Sequence, residues 1–136
     1  MIVGCITCYG QIAKNDYKDM IDSAILMQKS AYRLNVYLID EKDYPYQLTA
    51  KSLHGKFKYL SIFDKSNRPR LKKGINAWKI IPTLHGNQLT IDIIDFTITW
   101  RKNRYNFGNG GGATVLFEYS CIDQKWILKQ SNWNGL

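Results

Sequence analysis

The sequence predicts an α+β protein with one amphipathic helix near its N-terminus and an antiparallel β-meander in its second half. Two observations carry this prediction. Apolar residues recur at three- and four-residue spacing between residues 15 and 31, as they do along one face of a helix. After residue 78, four runs rich in β-branched and aromatic residues are separated by turn-forming residues. The chain has 136 residues, so we expect a single domain over residues 11–136.

The helix is expected at residues 15–31. Asn15 or Asp16 can accept a hydrogen bond from a free amide of the first turn. Asp16 and Asp19 place negative charge at the N-terminal end, where the helix dipole favours it. The apolar residues form one stripe, and we expect this stripe to pack into the core. The stripe comprises Met20, Ile21, Ala24, Ile25, Met27 and Ala31.

The rest of the chain predicts strands joined by turns. An imperfect alternation at residues 32–39 indicates a strand or an extended continuation of the helix, and a clean alternation at residues 56–63 indicates another strand. Pro69 favours a loop at residues 67–70. A long glycine-rich connection is expected between the second and third strands of the meander. The four strands of the meander are expected at residues 78–84, 89–100, 113–122 and 126–131.

The second strand of the predicted meander changes the phase of its alternation. Its apolar residues lie at odd positions up to Ile93 and at even positions from Ile94. A β-bulge between these two residues would turn both apolar sets toward the helix and bend the strand. A curved antiparallel meander packed on one N-terminal amphipathic helix resembles the cystatin-like and NTF2-like architectures, over residues 15–131. This resemblance concerns the order of elements, and it implies no functional residue.

The net charge of +8 is concentrated in the later part of the chain. Residues 1–43 carry five Lys or Arg against six Asp or Glu, and residues 44–136 carry fourteen against five. Between residues 65 and 91, six positive residues occur without an acid. A basic surface raises the rate of encounter with anionic partners such as nucleic acid, lipid headgroups or an acidic protein.

The first eleven residues, MIVGCITCYGQ, contain no charge. If cleavage falls before Gln11, Cys8 and Gly10 occupy the two positions at which a signal peptidase requires small side chains. Residues 1–10 therefore resemble the end of an export signal. This interpretation places the protein in the periplasm or outside the cell.

Two other interpretations of the same segment stay open. Residues 2–5 resemble a bacterial lipobox, in which case Cys5 would be acylated and the protein would be anchored to lipid. Residues 2–9 are also rich in residues that favour β-structure, and they would then form a buried strand.

Residue types that support catalysis or metal binding are few. Cys5 and Cys8 have no second cysteine pair at a zinc-like spacing. His54 and His85 fall in predicted loops. Cys121 lies on the same face of its predicted strand as Phe117 and Tyr119, which predicts a buried thiol. We therefore expect no catalytic residue, no metal site and no cofactor.

Basic and aromatic residues around the predicted loops form the expected partner-binding surface. Aromatic residues and Arg dominate the energetics of protein interfaces. The positive residues that precede the glycine-rich run are expected to meet those of residues 65–73 in space. The predicted partner-binding residues are Arg68, Arg70, Lys72, Lys73, Arg101, Lys102, Arg104, Tyr105 and Phe107.

Three carboxylates are the candidates for a ligand pocket instead. Asp92 and Asp95 flank the suspected bulge, and a bulge can redirect a side chain toward a site. Glu118 alternates with apolar neighbours, so it lies on the opposite side of its strand from them. It is a plain polar position if that face is solvated, and a pocket acid if that face is the concave face of an NTF2-like sheet.

These patterns predict a small exported, non-enzymatic binding protein of the bacterial cell envelope. It would hold an acidic surface of a protein partner, as an inhibitor or immunity-type protein does. One alternative is an NTF2-like ligand-binding protein or enzyme whose pocket contains the three carboxylates. Another is a cytosolic binder of single-stranded nucleic acid that uses the basic residues of 65–73 and 101–104. No apolar run approaches the ~20 residues that span a bilayer, so no transmembrane segment is expected.

Overall fold

The computed structural model describes residues 14–28, 35–49 and 57–135, so the predicted export segment lies outside the described residues. The helices are α1 (Lys14–Leu26) and α2 (Arg68–Lys73), and a single 3₁₀ turn, Lys65–Asn67, leads into α2. The strands are β1 (Val36–Ile39), β2 (Phe57–Lys58), β3 (Ile75–His85), β4 (Gln88–Arg101), β5 (Arg104–Ser120) and β6 (Lys125–Gly135).

One six-stranded sheet, with the order β2-β1-β3-β4-β5-β6, curls into a half-barrel. Strands β3 to β6 follow one another as an antiparallel meander. β1 lies parallel to both β2 and β3, so the sheet as a whole is mixed. The predicted α+β class with a curved sheet is confirmed, whereas the comparison with cystatin-like and NTF2-like folds stays a prediction. Neither described helix has the length and apolar content that crossing a membrane requires.

Part of each face of the sheet is buried, and each face has its own core. Because successive side chains of a strand point to opposite sides, β3 contributes Trp78 and Ile80 to one core, and Ile75 and Ala77 to the other. The apolar residues of α1 cover the first of these faces, and Ala31, the last residue of the predicted stripe, lies outside the described residues. Leu71 of α2, which is fully buried, covers the second. We call these the first face and the second face.

The apolar residues of β4 serve both cores, which corrects the predicted arrangement. β4 pairs with β3 without a register shift. Leu89, Ile91 and Ile93 therefore lie on the first face, and Ile98 lies on the second. The phase change in the sequence reflects burial on two sides, because a helix covers each face at a different part of the strand. The expected bulge in β4 that would turn both sets toward one helix is wrong.

The irregularity lies in the neighbouring strand, β5. Ile94 pairs with Gly112, whereas Phe96 pairs with Asn109, so three steps along β5 oppose two steps along β4. The extra residue is therefore in β5, and Asp95 of β4 has no partner in the β5 register. A bulge increases local twist, which is consistent with a sheet that curls at this point.

The glycine-rich run, predicted as a long connection, belongs to β5. The actual connection is the two-residue turn Lys102-Asn103, whose φ angles of 54° and 59° are those of the type I′ turn that suits the twist of a hairpin. Residues 104–109 and Gly112 are held in the strand because their backbone pairs with β4. These ladder hydrogen bonds involve a distant segment, and they compensate for the low strand propensity of glycine.

Three further element boundaries differ from the predictions. α1 ends at Leu26, and the side chain of Gln28 donates a 3.0 Å hydrogen bond to the carbonyl of Ala24 in the last turn; residues 29–31 of the predicted helix lie outside the described residues. The strand expected at residues 56–63 is restricted to β2. The loop expected around Pro69 is helical, because proline is tolerated in the first turn of a helix, where its missing N–H is not needed.

Candidate binding surface

Helix α2 and the β4–β5 hairpin place positive charge on one side of the molecule. Arg68 and Lys72 are one helical turn apart on α2, so they share one side of the helix. The guanidinium carbon of Arg68 lies 4.2 Å from the ring centroid of Trp100, near the end of β4. The packing of α2 on the second face thus sets a cation directly against an indole ring.

A cleft of about 540 Å³ opens beside this contact. Lys72 lines it from α2, and Trp100, Arg101 and Lys102 line it together with Asn103 from the hairpin. The structure therefore brings positive residues that are about thirty positions apart in the sequence into one place. We call Arg68, Lys72, Arg101 and Lys102 the basic cluster.

The other predicted positive residues lie around this cluster. Arg70 donates a 3.1 Å hydrogen bond from Nη1 to the hydroxyl of Tyr37. Arg70 and Lys73 line a separate, smaller cleft of about 290 Å³. Arg104 is exposed and pairs opposite Arg101 across the hairpin. Like charges at directly opposed positions of a sheet are destabilising, so the repulsion between Arg101 and Arg104 lowers the stability of the hairpin.

Aromatic rings extend the basic cluster into a continuous row across the second face. The centroid distances are 5.4 Å between Tyr44 and Phe63, 5.6 Å between Phe63 and Tyr105, and 4.8 Å between Tyr105 and Trp100. All three contacts are edge-to-face, with interplanar angles of 62°, 85° and 63°. Tyr44 is 53 % exposed and Phe63 is 44 % exposed, so one end of the row is open to a partner. We call these four rings the aromatic row.

Two predicted aromatic residues take part in this surface in different ways. Tyr105 is a member of the row, and its hydroxyl donates a 2.7 Å hydrogen bond to the carbonyl of Ile62. Phe107 packs edge-to-face on Phe96, at a centroid distance of 5.4 Å, and lies on the same face beside the row. Both residues come from the part of β5 that the sequence analysis had taken for a loop.

The loop that carries Tyr44 has a defined backbone structure. The carboxylate of Asp40 accepts hydrogen bonds from the backbone N–H groups of Lys42, at 2.8 Å, and of Tyr44, at 3.0 Å. The backbone N–H of Asp40 donates to the carbonyl of Tyr44 at 2.7 Å. The exposed ring of Tyr44 is therefore presented from a closed turn, which lowers the entropy lost when a partner binds.

Sequence reasoning missed three members of the aromatic row as functional candidates, namely Tyr44, Phe63 and Trp100. The signal available for the first two was position, since each aromatic residue stands next to a turn-forming residue, Pro45 or Asp64. Contact between rings from separate segments has no local signature. Only the packing of the chain reveals the row.

The three candidate carboxylates do not meet in the described part of the chain. Asp92 accepts a 2.9 Å hydrogen bond from the hydroxyl of Thr114, in a shallow cleft at the bulge. Glu118 accepts a 3.1 Å hydrogen bond from the side-chain amide of Gln88. By strand alternation both lie on the second face, away from α1, whereas Asp95 lies on the first face.

Asp95 has the most unusual environment of the three carboxylates. Its Oδ1 atom is buried and has no hydrogen-bond partner. Burial raises the pKa of the Asp95 carboxyl, and the neighbouring Asn76 amide offsets part of this effect. The position of Asp95 at the bulge therefore buries its carboxyl group, and this burial disfavours the charged form.

Other titratable residues that the sequence analysis considered lie apart from one another. His85 is exposed at the β3–β4 turn, and His54 falls outside the described residues. Cys121, expected to be buried, is half-buried in the turn after β5. Within residues 14–28, 35–49 and 57–135, no three His, Cys, Asp or Glu side chains come together in a way that could hold a metal ion.

Comparison with protein-family models, with curated proteins and with solved structures finds no match to this chain.

Proposed function

We propose that the protein is a non-enzymatic binding protein that holds an acidic protein partner on the aromatic row and the basic cluster. The observation that carries this proposal is the continuity of the two features, from the exposed rings of Tyr44 and Phe63 to the guanidinium group stacked on Trp100. Exposed aromatic rings beside Arg side chains match the composition of energetically dominant interface residues.

Charge complementarity supports an acidic partner. The residues of the cleft beside Trp100 include Lys72, Arg101 and Lys102, and no acidic residue is among the described residues that line it. A positive patch of this kind steers a negatively charged protein into contact and suppresses association with basic ones. The net charge of +8 acts in the same direction over longer distances.

The packing of the rings favours a protein partner over single-stranded nucleic acid. Nucleic-acid binders offer ring faces on which successive bases stack. Here each ring of the aromatic row packs edge-to-face on the next, and Trp100 is flanked by both Tyr105 and Arg68. The row therefore presents one joined apolar surface, which suits the side chains of a protein better than it suits separate bases.

Two expectations from the sequence are also part of what we propose. The protein is exported to the cell envelope, and it acts as an inhibitor or immunity-type protein that blocks another protein. The charge-free residues 1–11 support export, and the exposed rings at one end of the aromatic row suit contact with the surface of another protein.

Photo-crosslinking tests the proposal directly. A benzoylphenylalanine residue is placed at Phe63, and in a control at Ile122, which is 93 % exposed in the β5–β6 turn. An acidic protein of the source cell should crosslink from position 63 and not from position 122. With that protein purified, the Tyr44→Ala/Phe63→Ala double variant should bind at least about tenfold more weakly, whereas Ile122→Ala should bind normally.

Two results would overturn the proposal. One is equal affinity of the double variant and the wild-type protein for the crosslinked partner. The other is salt-sensitive retention of a thymidine oligonucleotide that the double variant loses, since this would assign the surface to single-stranded nucleic acid.

A further inference from the structure

Arg68 is held in one orientation before any partner binds. Its guanidinium carbon lies 4.2 Å above the Trp100 ring, and the next residue is Pro69, which fixes the backbone at the start of α2. The guanidinium group is therefore restrained against a fixed ring. An Arg side chain restrained in this way loses less conformational entropy when it receives a ligand than a free one does.

The same side chain has an unmet hydrogen-bonding requirement. Arg68 Nε is buried and has no hydrogen-bond partner. A buried donor without an acceptor costs free energy, and the cost is larger for a charged group. The contact with Trp100 compensates the charge in part, but an aromatic ring does not replace an oxygen acceptor.

Like charges accumulate around Arg68 without compensation in the described part of the chain. Lys72 follows one helical turn later and lines the cleft beside Trp100, and Arg101 and Lys102 line that cleft from the hairpin. Like charges at this helical spacing repel each other. Lys102 also holds a left-handed backbone, with φ of 54°, which costs energy for a residue other than glycine. An oxyanion in the cleft would reduce the electrostatic repulsion among these positive side chains.

We infer that the cleft between α2 and the β4–β5 hairpin is a subsite for a carboxylate, supplied by an Asp or Glu side chain of the partner. Arg68, which packs against the Trp100 wall of the cleft, is its directional ligand, because the planar fork of a guanidinium group matches the two oxygens of a carboxylate. Lys72 and Lys102 supply charge without directional demand. This inference rests on the proposed function, since it names the chemical group by which the acidic partner is recognised.

Calorimetric titration with an acetylated and amidated hexaglutamate peptide tests the subsite. We expect Arg68→Lys, which keeps the charge and removes the fork, to weaken binding about tenfold, the scale of one charge-assisted hydrogen bond. The matched control is Arg104→Lys, the same exchange at an exposed residue of the β4–β5 hairpin that does not line the cleft, and its affinity should stay within about twofold. The assignment is wrong if Arg68→Lys binds as tightly as the wild-type protein, or if the wild-type protein does not bind the peptide.

A second variant keeps the test decisive if Arg68→Lys unfolds. Lys102→Asn removes a charge at an exposed turn whose left-handed backbone asparagine accepts readily, so the fold should be retained. Its affinity for hexaglutamate should fall several-fold, and unchanged affinity would again overturn the inference. A hexaphosphoserine peptide is the second probe, and binding more than about tenfold tighter than hexaglutamate would replace the carboxylate with a phosphate group.

The failure of this inference differs from the failure of the proposed function. If the partner crosslinks at position 63 and Arg68→Lys has no effect on either the peptide or the partner, only the subsite is wrong. If hexaglutamate binding depends on Arg68 and no protein crosslinks at position 63, the subsite stands and the aromatic row is not a protein interface.

Discussion

The hydroxyl of Tyr46 donates a 2.7 Å hydrogen bond to Oδ1 of Asp22, and this bond ties the loop after β1 to α1. Asp22 is only 5 % exposed, and it also accepts hydrogen bonds from the backbone N–H of Thr49, at 2.9 Å, and from the ammonium group of Lys18, at 3.0 Å. The same loop carries Tyr44 of the aromatic row. The hydrogen bonds around Asp22 on the first face therefore help to hold Tyr44 in place, at one end of the aromatic row on the second face.

Asp22→Ala should lower the free energy of unfolding by about 3 kcal/mol, because it leaves the Tyr46 hydroxyl and the Thr49 amide without their acceptor. Tyr46→Phe, which removes one donor alone, should cost about 1 kcal/mol. Urea denaturation measures both. Asp19→Ala, at an exposed position of the same helix, is the control and should change stability by less than about 0.5 kcal/mol. A loss below that level for Asp22→Ala would show that the network is not structural.

Gly112→Ala should be strongly destabilising because of the close approach of β5 to β4. A Cβ atom at Gly112 would overlap the carbonyl oxygen of Ile93, a backbone atom that cannot move away without disturbing the ladder. We expect a loss of about 3 kcal/mol in thermal or urea unfolding. At Gly108 the nearest atom to a Cβ is 3.8 Å away, so Gly108→Ala should be neutral or slightly stabilising. Equal effects at the two positions would contradict this reading of the bulge.

Asp95→Asn should change the pH dependence of stability in a defined direction. Burial raises the pKa of the Asp95 carboxyl in the folded protein, so the folded state binds this proton more tightly than the unfolded chain does. The contribution of Asp95 to stability therefore falls as the pH rises from below the ordinary carboxyl pKa to above the raised one. The asparagine variant lacks this loss, and it should be more stable than the wild-type protein at neutral pH.

Urea denaturation at several pH values checks this prediction. The difference between the variant and the wild-type protein should shrink toward about pH 3, where both carry an uncharged side chain at this position. Asp19→Asn reports the effect of removing an exposed negative charge at each pH. A variant that is less stable than the wild-type protein at neutral pH would mean that the ionised carboxylate of Asp95 is favourable.

The sequence alone determined the elements whose signal is local and repeated. The start of α1 near residue 15 follows from capping residues and helical spacing, and the long strand around residues 89–100 follows from dense β-branched residues. The α+β class was predicted from the order of these elements, and the curvature of the sheet was predicted from a bulge expected in β4, whereas the extra residue lies in β5. The excess of positive charge in the later part of the chain was also readable, because charge is a property of composition.

Tertiary structure alone decided the faces, the pairings and the candidate surface. A bulge in one strand and burial on two faces both predict the phase change between Ile93 and Ile94 in the sequence. The packing of α2 on the second face shows that the second explanation is correct. The glycine-rich run became a strand because β4 lies beside it and supplies hydrogen-bond partners. Trp100, Tyr105 and Phe63 form one row because separate segments pack on the second face. A local sequence pattern indicates whether a residue is buried. It does not identify the distant segment that buries the residue, because that depends on the packing of the whole domain.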